Sequence, residues 1–255
     1  MASSRTVLVT ASSKGIGRYI AEYLYSKGYR VIATSRNKAP KDIDKGVIFY
    51  HLDFTVKESI DTLYQLITSK HESIDGLVVN TGNPSCEPCT LTEAGYEDWL
   101  EAAKLYLAGP LYLTSKILEY SINKGRPLSI LFISAVSVAE PMSMLVVADT
   151  VRAGITRAVK VISRQYASHG IRANALLLGS YDTPGARATI RVLAKKLSVP
   201  EEEAWRKLVV ELNPGRKLGD PVELGRIAHF ILFEATYISG TSIVVDGAMS
   251  KCTLV

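Results

Sequence analysis

Residues 7–18, Val-Leu-Val-Thr-Ala-Ser-Ser-Lys-Gly-Ile-Gly-Arg, join an apolar strand to a turn of small residues and then to the start of a helix. The unpaired N–H groups and the positive dipole end of such a helix suit the pyrophosphate of a dinucleotide. Gly15 and Gly17 let the backbone approach such a ligand closely. An ordinary tight turn is the alternative for a glycine-rich turn taken alone. The residues expected at the phosphates are Thr10, Ser12, Ser13, Lys14, Gly15, Ile16 and Gly17.

The end of the second predicted strand, Ala33-Thr-Ser-Arg-Asn37, contains no acidic residue. An Asp or Glu there would bond the ribose 2′-hydroxyl of NAD, whereas an arginine suits the 2′-phosphate of NADP. Arg36, next to Ser35 and helped by Lys14 in the turn, therefore favours NADP(H) over NAD(H). A solvated arginine at the end of a strand is the alternative interpretation.

Seven apolar, β-branched runs alternate with amphipathic stretches along the chain. The runs cover residues 6–10, 30–34, 47–52, 76–80, 129–134, 172–178 and 242–246, and the amphipathic stretches cover 18–27, 59–70, 96–123 and 151–169. Apolar residues spaced three and four apart in these stretches indicate helices. Because parallel strands need crossovers, the alternation predicts an α/β fold with a doubly wound parallel sheet of the Rossmann type and helices on both faces.

The chain is long enough to bury one large core, since it has 255 residues and 47% hydrophobic content. We expect a single dinucleotide-binding domain over residues 1–255. Residues 182–213 are rich in Arg, Lys and Glu and show no strand pattern. We interpret them as a mobile helical lid over the ligand site, with a solvated surface pair of helices as the alternative.

Charge and hydropathy argue against several classes of partner. The net charge of +5 comes from interspersed charges, without the arginine-rich block or the basic aromatic run typical of nucleic-acid binding. No apolar run approaches the roughly 20 residues of a membrane span. The N-terminus lacks the charged and then apolar layout of a signal peptide, so we expect a cytoplasmic protein.

Further short motifs follow the glycine turn in order: Asn80-Thr-Gly82, Gly170-Ile-Arg-Ala-Asn174, Leu178-Gly-Ser-Tyr-Asp-Thr183, Pro214-Gly-Arg-Lys-Leu-Gly-Asp-Pro-Val-Glu223 and Val245-Asp-Gly247. Over nearly its whole length the chain resembles the short-chain dehydrogenase/reductase family, particularly its 3-oxoacyl-[acyl-carrier-protein] reductases and glucose dehydrogenases. Ala11 replaces the first glycine of the family's Thr-Gly-x-x-x-Gly-x-Gly turn. The resemblance implies further cofactor contacts at Asp53, which would meet the adenine, and at Asn80, Gly82, Gly179 and Thr183.

The resemblance fails at the residues that carry the family's chemistry, which are Asn, Ser, Tyr and Lys. In that family the tyrosine moves the proton, the lysine lowers its pKa and holds the ribose, the serine orients the carbonyl and the asparagine holds a relay water. The corresponding positions here are Tyr106, Ala135, Ala148 and Arg152, with Ser134 and Ser137 beside Ala135. All four family residues have therefore been replaced.

Arg152 keeps a permanent cation, which bonds a ribose or a carbonyl oxygen but releases no proton. The family fold implies that Tyr106 approaches Arg152, and a neighbouring cation favours the ionised form of a tyrosine. We therefore predict Tyr106 as a displaced general acid, with Arg152, Ser134 and Ser137 as the other catalytic candidates. The alternative is that Tyr106 only fills the site as an amphipathic core residue. Further polar candidates near the nicotinamide are Asp149 and Tyr181.

Two functions fit these observations. The first is an NADP(H)-dependent oxidoreductase that reduces a carbonyl, or oxidises an alcohol, of a small substrate with altered catalytic residues. The second is a catalytically silent pseudo-reductase that binds NADP(H). The predicted helices at 96–123 and 151–169 resemble the family's pairing helices and carry apolar residues on several faces, which predicts a homo-oligomer, a tetramer.

The segment Cys86-Glu-Pro-Cys89 supplies two of the four ligands of a structural zinc site, and only Cys252 remains elsewhere. The four histidines are scattered, so we expect no metal site. The cysteine pair follows the fourth predicted strand, near where substrate enters related proteins. Two loop thiols in a reducing cytosol are favoured over a redox-sensitive bridge.

Overall fold

Seven parallel strands form one sheet in the computed structural model, which describes residues 5–37, 39–86 and 88–252. The strands are β1 (Thr6–Val9), β2 (Arg30–Ser35), β3 (Ile48–His51), β4 (Gly76–Val79), β5 (Leu128–Ala135), β6 (Ile171–Leu178) and β7 (Ser242–Val245). Their spatial order is β3-β2-β1-β4-β5-β6-β7, with every neighbouring pair parallel. The predicted doubly wound sheet is confirmed.

The strand order reverses at β1, which has β2 on one side and β4 on the other. Val9, the last residue of β1, is in register with Ala33 of β2 and with Val78 of β4. The chain leaves β1 and β4 toward opposite faces of the sheet, so a crevice opens at the carboxyl ends of these strands. Ligands of doubly wound folds bind in such a crevice, and the glycine turn lies beside this one.

Helices cover both faces of the sheet. They are α1 (Gly15–Ser26), α2 (Lys57–Lys70), α3 (Tyr96–Ala103), α4 (Gly109–Asn123), α5 (Val146–Gln165), α6 (Pro184–Leu197), α7 (Glu201–Trp205) and α8 (Pro221–His229). One face carries α1 and α8 over an apolar cluster that includes Leu24 and Leu224. The other carries α2, α4 and α5 over a cluster that includes Ile60, Ile117 and Val159. In the described part of the chain, no helix is both long and apolar enough to cross a membrane.

The predicted helix at 96–123 is interrupted. A π-helical turn at Lys104–Ala108 separates α3 from α4 and contains Tyr106, one of the predicted catalytic residues. Such turns occur frequently at functional sites. The interruption therefore sets the position of Tyr106 relative to the sheet.

Helix α5 begins at Val146, earlier than the predicted residue 151. The adjacent β-branched Val146 and Val147 hide the helical spacing in the sequence. As a consequence, Ala148 and Asp149 lie in the first turn of α5, one turn before Arg152.

Residues 182–213, which we call the lid and which the structure describes throughout, contain α6, α7 and a π-helical turn, and no strand. These elements surround a small apolar cluster made of Ile190, Ala194, Ala204, Trp205 and Val209. Arg187 lies over Trp205, with its Cζ 3.6 Å from the ring centroid, and pairs with Asp182 at 2.8 Å. The helical character of the lid agrees with the sequence pattern, and its core is separate from the two clusters on the sheet.

Arg172, from the Gly-Ile-Arg-Ala-Asn motif in β6, holds the last helical segment, which is the π-helical turn Phe230–Glu234 that follows α8. Its guanidinium donates to Ser129 Oγ at 3.0 Å and to the carbonyl oxygens of Ile231, Leu232, Ala235 and Ile238 at 3.1, 2.7, 3.2 and 3.0 Å. The last carbonyl groups of a helical segment have no N–H partner within the helix, and these carbonyls lie at and after that end. Burial lowers the pKa of Arg172, and its role is structural.

Candidate active site

The turn between β1 and α1 has the backbone geometry of an anion cradle. Ala11 and Gly15 are in the left-handed region, with φ of +46° and +60°. A β-carbon on Gly17 would stand 2.5 Å from the Ala11 oxygen and 2.8 Å from Asn80 Nδ2, so only glycine fits there. The N-cap residue of α1 is Lys14, whose ammonium group can only donate, and the first N–H groups of α1 are thus left for an external anion.

Thr10 and Ser12 build this turn from inside, where both are fully buried. Thr10 Oγ1 donates to the Asn80 oxygen at 2.6 Å and accepts from the Asn80 N–H at 2.9 Å, which ties β1 to the chain after β4. Ser12 Oγ donates to the Val9 oxygen at 2.8 Å and accepts from the Thr34 N–H at 3.0 Å. Ile16 packs on the cluster under α1. The more exposed side chains of the turn are Ser13 and Lys14.

Arg36 extends from the end of β2 toward the chain that follows β4. Its Nη2 lies 3.4 Å from the position that a β-carbon on Gly82 would take, and its side chain is exposed. Ser35 Oγ accepts from the Asn37 N–H at 3.1 Å and donates to the Asn37 oxygen at 2.9 Å, which turns the chain at this point. The structure therefore brings Arg36 and Gly82 together at the mouth of the crevice.

Asp53 and Asn80, two further predicted cofactor residues, are held by hydrogen bonds within the protein. Asp53 lies after β3, and its Oδ1 accepts from the Thr55 N–H and hydroxyl at 2.9 and 2.7 Å. Asn80 Nδ2 donates to the Ala11 oxygen at 3.1 Å. Both side chains therefore have fixed orientations at the carboxyl end of the sheet.

The lid begins beside the glycine turn. Thr183 caps α6, with its Oγ1 accepting from the Ala186 N–H at 3.1 Å. Its Cβ stands 3.6 Å from the position of a β-carbon on Gly15. Gly179 instead packs against the end of β7, where a β-carbon would lie 2.6 Å from the Asp246 Cα. Thr183 is thus near the cradle, and Gly179 allows two strand ends to pass closely.

Arg152 stacks on Tyr106, with its Cζ 4.0 Å from the ring centroid. Helix α5 supplies the arginine and the π-helical turn supplies the tyrosine, and their contact is the approach that the resemblance to the family implied. It is made through the ring face, which is a cation–π interaction. The Tyr106 side chain is 2% exposed and belongs to the cluster under α2, α4 and α5.

A cavity of about 10 Å³ adjoins this pair at the carboxyl ends of β4 and β5. The polar residues around it are Thr81, Tyr106, Ser134 and Arg152. Ser134 Oγ is buried and has no hydrogen-bond partner among the residues that the structure describes. The space is close to what one water needs, and a buried hydroxyl without a partner indicates a place for a water or a ligand oxygen.

Comparison with known proteins identifies the family. Residues 10–250 match the family model described as Enoyl-(Acyl carrier protein) reductase. The chain belongs to the short-chain dehydrogenase/reductase family. Its members are oxidoreductases, which supports enzymatic activity at the level of the family.

Individual relatives of this short-chain dehydrogenase/reductase are distant but match along nearly the full length. The 3-oxoacyl-[acyl-carrier-protein] reductase of Vibrio cholerae is 29% identical, over 96% of this chain and 97% of its own. The 3beta-hydroxysteroid dehydrogenase 1 of Eggerthella lenta is 25% identical, over 96% of this chain and 94% of its own. A crystal structure of actinorhodin polyketide ketoreductase with NADPH has a TM-score of 0.90 at 22% identity, covering 97% of this chain and 98% of that chain, and shows the same fold.

Ser137 in this short-chain dehydrogenase/reductase is bonded to a buried carboxylate. Its Oγ donates to Asp149 Oδ1 at 2.5 Å, and Asp149 Oδ2 accepts from the Met142 N–H at 2.9 Å. Burial raises the pKa of the Asp149 carboxyl, and these two hydrogen bonds and the Arg152 charge oppose the rise. The pair fastens the loop after β5 to the first turn of α5. Sequence reasoning named both residues separately and missed their contact.

Tyr181 lies away from this site. It belongs to the cluster under α1 and α8, on the opposite face of the sheet from Tyr106. Burial raises its pKa to about 12, so its hydroxyl stays protonated at neutral pH. The structure does not bring Tyr181 together with Arg152 and Ser134.

The two loop cysteines are bonded to each other, which corrects the prediction of two thiols. Cys86 and Cys89 form a disulfide, and their Cα atoms are 6.0 Å apart. That separation is ordinary for a disulfide. The thiol prediction rested on an assumed reducing compartment, whereas the pairing depends on the local fold of the loop.

Proposed function

We propose that this chain is an NADP(H)-dependent oxidoreductase that reduces a carbonyl, or oxidises an alcohol, of a small substrate. The observation that carries the proposal is the arrangement along one edge of the sheet, where the glycine turn and Arg36 lie at one end and the cavity beside Arg152 and Ser134 at the other. The names of the Vibrio cholerae and Eggerthella lenta relatives, a reductase and a dehydrogenase, support this reaction class.

The residues of the crevice fit a dinucleotide. A β-carbon on Gly17 would collide with Ala11 and Asn80, so glycine is needed to form the turn, and the start of α1 offers N–H groups to a pyrophosphate. Thr183 stands beside Gly15 and would help to hold the same phosphates. When bound, NADPH supplies the hydride, while this chain's residues bind it, orient it and exclude water.

Arg36 and Lys14 are the groups proposed for the 2′-phosphate. Both side chains are exposed at the crevice. The planar fork of a guanidinium matches phosphate oxygens with paired hydrogen bonds, and such charge-assisted contacts are stronger than neutral ones. The preference for NADP(H) follows from this pair and from the lack of an acidic residue at 33–37.

The cavity supplies the groups for the substrate oxygen. Ser134 Oγ is positioned to donate a hydrogen bond, and Arg152 places a fixed positive charge beside the oxygen on which negative charge develops during reduction. Ala148 offers no hydroxyl, so we assign the proton to the Tyr106 hydroxyl, which would pass it to that oxygen. The guanidinium over the ring would stabilise the phenolate that remains.

Two measurements on the unmodified protein test the proposed function. Titrations with NADPH and NADH measure affinity, and single-turnover reactions of bound NADPH are followed with aldehydes, ketones, quinones and 3-oxoacyl thioesters. Oxidation of NADPH by one carbonyl class supports the oxidoreductase. Binding without oxidation by any class supports the pseudo-reductase, and failure to bind either cofactor overturns both.

We also propose that the chain forms a homo-oligomer, a tetramer. Large apolar side chains are exposed on α3 and α5, where Tyr96, Leu100 and Val161 are 76%, 37% and 58% exposed. The sheet cannot bury all the apolar faces of these two helices. Their exposed apolar residues therefore support association of subunits through α3 and α5. Light scattering coupled to size exclusion gives the mass, and a strict monomer at micromolar concentration contradicts the proposal.

A further inference from the structure

The disulfide loop between β4 and α3 is used neither by the cradle nor by the cavity. Its two cysteines differ in exposure, since Cys86 is partly exposed whereas Cys89 is 2% exposed and packs in the same cluster as Tyr106. A disulfide with one accessible sulfur is open to attack by an external thiolate at that sulfur. The contacts on each side of the loop indicate what such an attack would change.

On its inner side the loop contacts the segment that leads into α5. The Cys89 N–H donates to the Met144 oxygen at 2.9 Å, and Cys89 forms a parallel bridge with Leu145. Leu145 is the N-cap residue of α5, the helix that carries Arg152. The backbone of a bonded cysteine thus fixes the start of the helix that holds the cavity's cation.

On its outer side the loop contacts the lid. Lys196, near the end of α6, donates from Nζ to the Pro88 oxygen at 3.1 Å and pairs with the Glu93 carboxylate at 3.0 Å. Hydrogen bonds from Thr90 and from Lys196 lower the pKa of Glu93 to about 2, so the carboxylate stays ionised. Asn83 Nδ2 adds a hydrogen bond to Thr189 Oγ1 of α6 at 3.3 Å.

We propose that the Cys86–Cys89 bond is a reversible redox switch that, when intact, holds the lid helix α6 and the start of α5 against one short loop. The ring closed by this bond presents the Pro88 carbonyl to Lys196 and the Cys89 N–H to Met144 at the same time. Opening the ring returns conformational freedom to Cys86, Pro88 and Cys89 and weakens both contacts.

The reductant is a dithiol, and the exchange balances. One thiolate of the dithiol attacks Cys86 Sγ, the S–S bond breaks, and Cys89 leaves as a thiolate that takes up a proton. The second thiolate of the dithiol then attacks the sulfur that the first one contributed, releases Cys86 as a thiolate that is protonated in turn, and closes the dithiol to a disulfide. Two electrons and two protons pass to the protein, and the reverse exchange with an oxidised dithiol restores the bond.

The test is hydrogen–deuterium exchange on the full chain carrying Cys252→Ser, before and after reduction with dithiothreitol. Mass analysis after alkylation reports the state of Cys86 and Cys89. We expect amides of α6 and of residues 142–146 to exchange about threefold faster after reduction, the effect of losing one exposed charge-assisted contact. Amides of α2, remote from the loop, are expected to keep their rates.

Variants locate the coupling. In Cys86→Ser, the amides of α6 are expected to exchange as fast as in the reduced protein, and dithiothreitol is expected not to change their rates. Lys196→Met is expected to raise α6 exchange in the oxidised protein and to remove its further response, while Lys195→Met, a change at the adjacent exposed lysine, keeps the response.

Two results overturn the proposal. Cysteines that alkylate fully without a reductant show that the bond does not exist in solution. If the cysteines are reduced and amide exchange at α6 and at residues 142–146 is unchanged, the disulfide stabilises only its own loop. Because the reduced and oxidised forms of the same Cys252→Ser protein are compared, neither result depends on the folding of Cys86→Ser or Lys196→Met, and neither depends on catalytic activity.

Discussion

The Arg152 guanidinium lies over the Tyr106 ring, with its Cζ 4.0 Å from the ring centroid. The resemblance to the family predicts that these residues stand where other members have a lysine and an asparagine. A cation–π contact contributes about 0.5–2 kcal/mol and holds the guanidinium against the ring. The stack thus keeps a positive charge at the cavity. Ala148, at the position that we predict for the family's tyrosine, has no hydroxyl to donate.

Replacing Tyr106 with Phe tests the displaced donor. The ring and its stack with Arg152 are kept, and only the hydroxyl is lost. We expect single-turnover reduction of a carbonyl by NADPH to slow by about 10²- to 10⁴-fold, the usual contribution of a general acid, while NADPH affinity stays nearly the same. Tyr237→Phe, at a fully exposed tyrosine, is the control. Full activity in Tyr106→Phe would mean that Tyr106 only fills the site and that solvent or another group donates.

Replacing Arg36 with Asp tests the choice of cofactor. If Arg36 and Lys14 hold the 2′-phosphate, the unmodified protein prefers NADPH over NADH by about 1–3 kcal/mol, the size of a charge-assisted hydrogen bond. Arg36→Asp is expected to reverse the order, because a carboxylate repels the phosphate and bonds the ribose hydroxyl. Calorimetric titration measures both affinities.

The control is Arg126→Asp, which makes the same charge change at an exposed arginine after α4. Equal binding of NADPH and NADH by the unmodified protein would contradict the assignment of Arg36 and Lys14 to the 2′-phosphate.

The sheet could be predicted from the sequence because its inner strands, such as β1 and β4, are short apolar runs that are buried on both faces. Leu8 and Leu77, for example, are fully buried in neighbouring strands. The break in the helix at 104–108 could not be predicted in this way. A π-helical turn changes the hydrogen bonding of the backbone while the apolar spacing of Leu105 and its neighbours continues.

The parts of the candidate site that could be predicted are those formed by residues close together in the sequence. The glycine turn is formed by one continuous stretch, and residues 7–18 alone are enough to predict it. The Ser137–Asp149 hydrogen bond and the Lys196–Glu93 ion pair join segments that no local pattern relates. Thr81 had a weak local signal, its place between Asn80 and Gly82, but its position at the cavity depends on how β4 and β5 end.

Replacing Arg172 with Met tests the brace on the last helical segment. The change keeps an unbranched apolar stem and removes the donors to four carbonyl oxygens and to Ser129. We expect the free energy of unfolding to fall by about 3 kcal/mol, because buried acceptors are left without donors, which corresponds to about 6–12 °C in Tm. Calorimetry checks this. Arg126→Met is the matched control, and an unchanged Tm in Arg172→Met shows that water replaces the guanidinium.

His71 gives the protein a pH-dependent stability. It lies after α2 and is 8% exposed, its carbonyl accepts from Tyr120 Oη at 2.6 Å, and its Nε2 is 3.4 Å from Tyr50 Oη. Burial, followed by the charges of Arg30 and Lys70, lowers its pKa below the ordinary 6.5. The unfolded chain therefore takes up a proton at a pH where folded His71 is still neutral. Because the unfolded state binds more protons, stability falls as the pH drops from about 6.5 through the lower folded pKa.

Urea unfolding measured from about pH 8 to about pH 5 tests this sign. The unmodified protein is expected to lose stability toward the acid end, and His71→Gln is expected to lose less over the same interval, because glutamine carries no titrating group. His169→Gln, at an exposed histidine, is expected to keep the full dependence. If His71→Gln and the unmodified protein lose stability in parallel, the acid sensitivity comes from other groups and His71 is protonated in the folded state without cost.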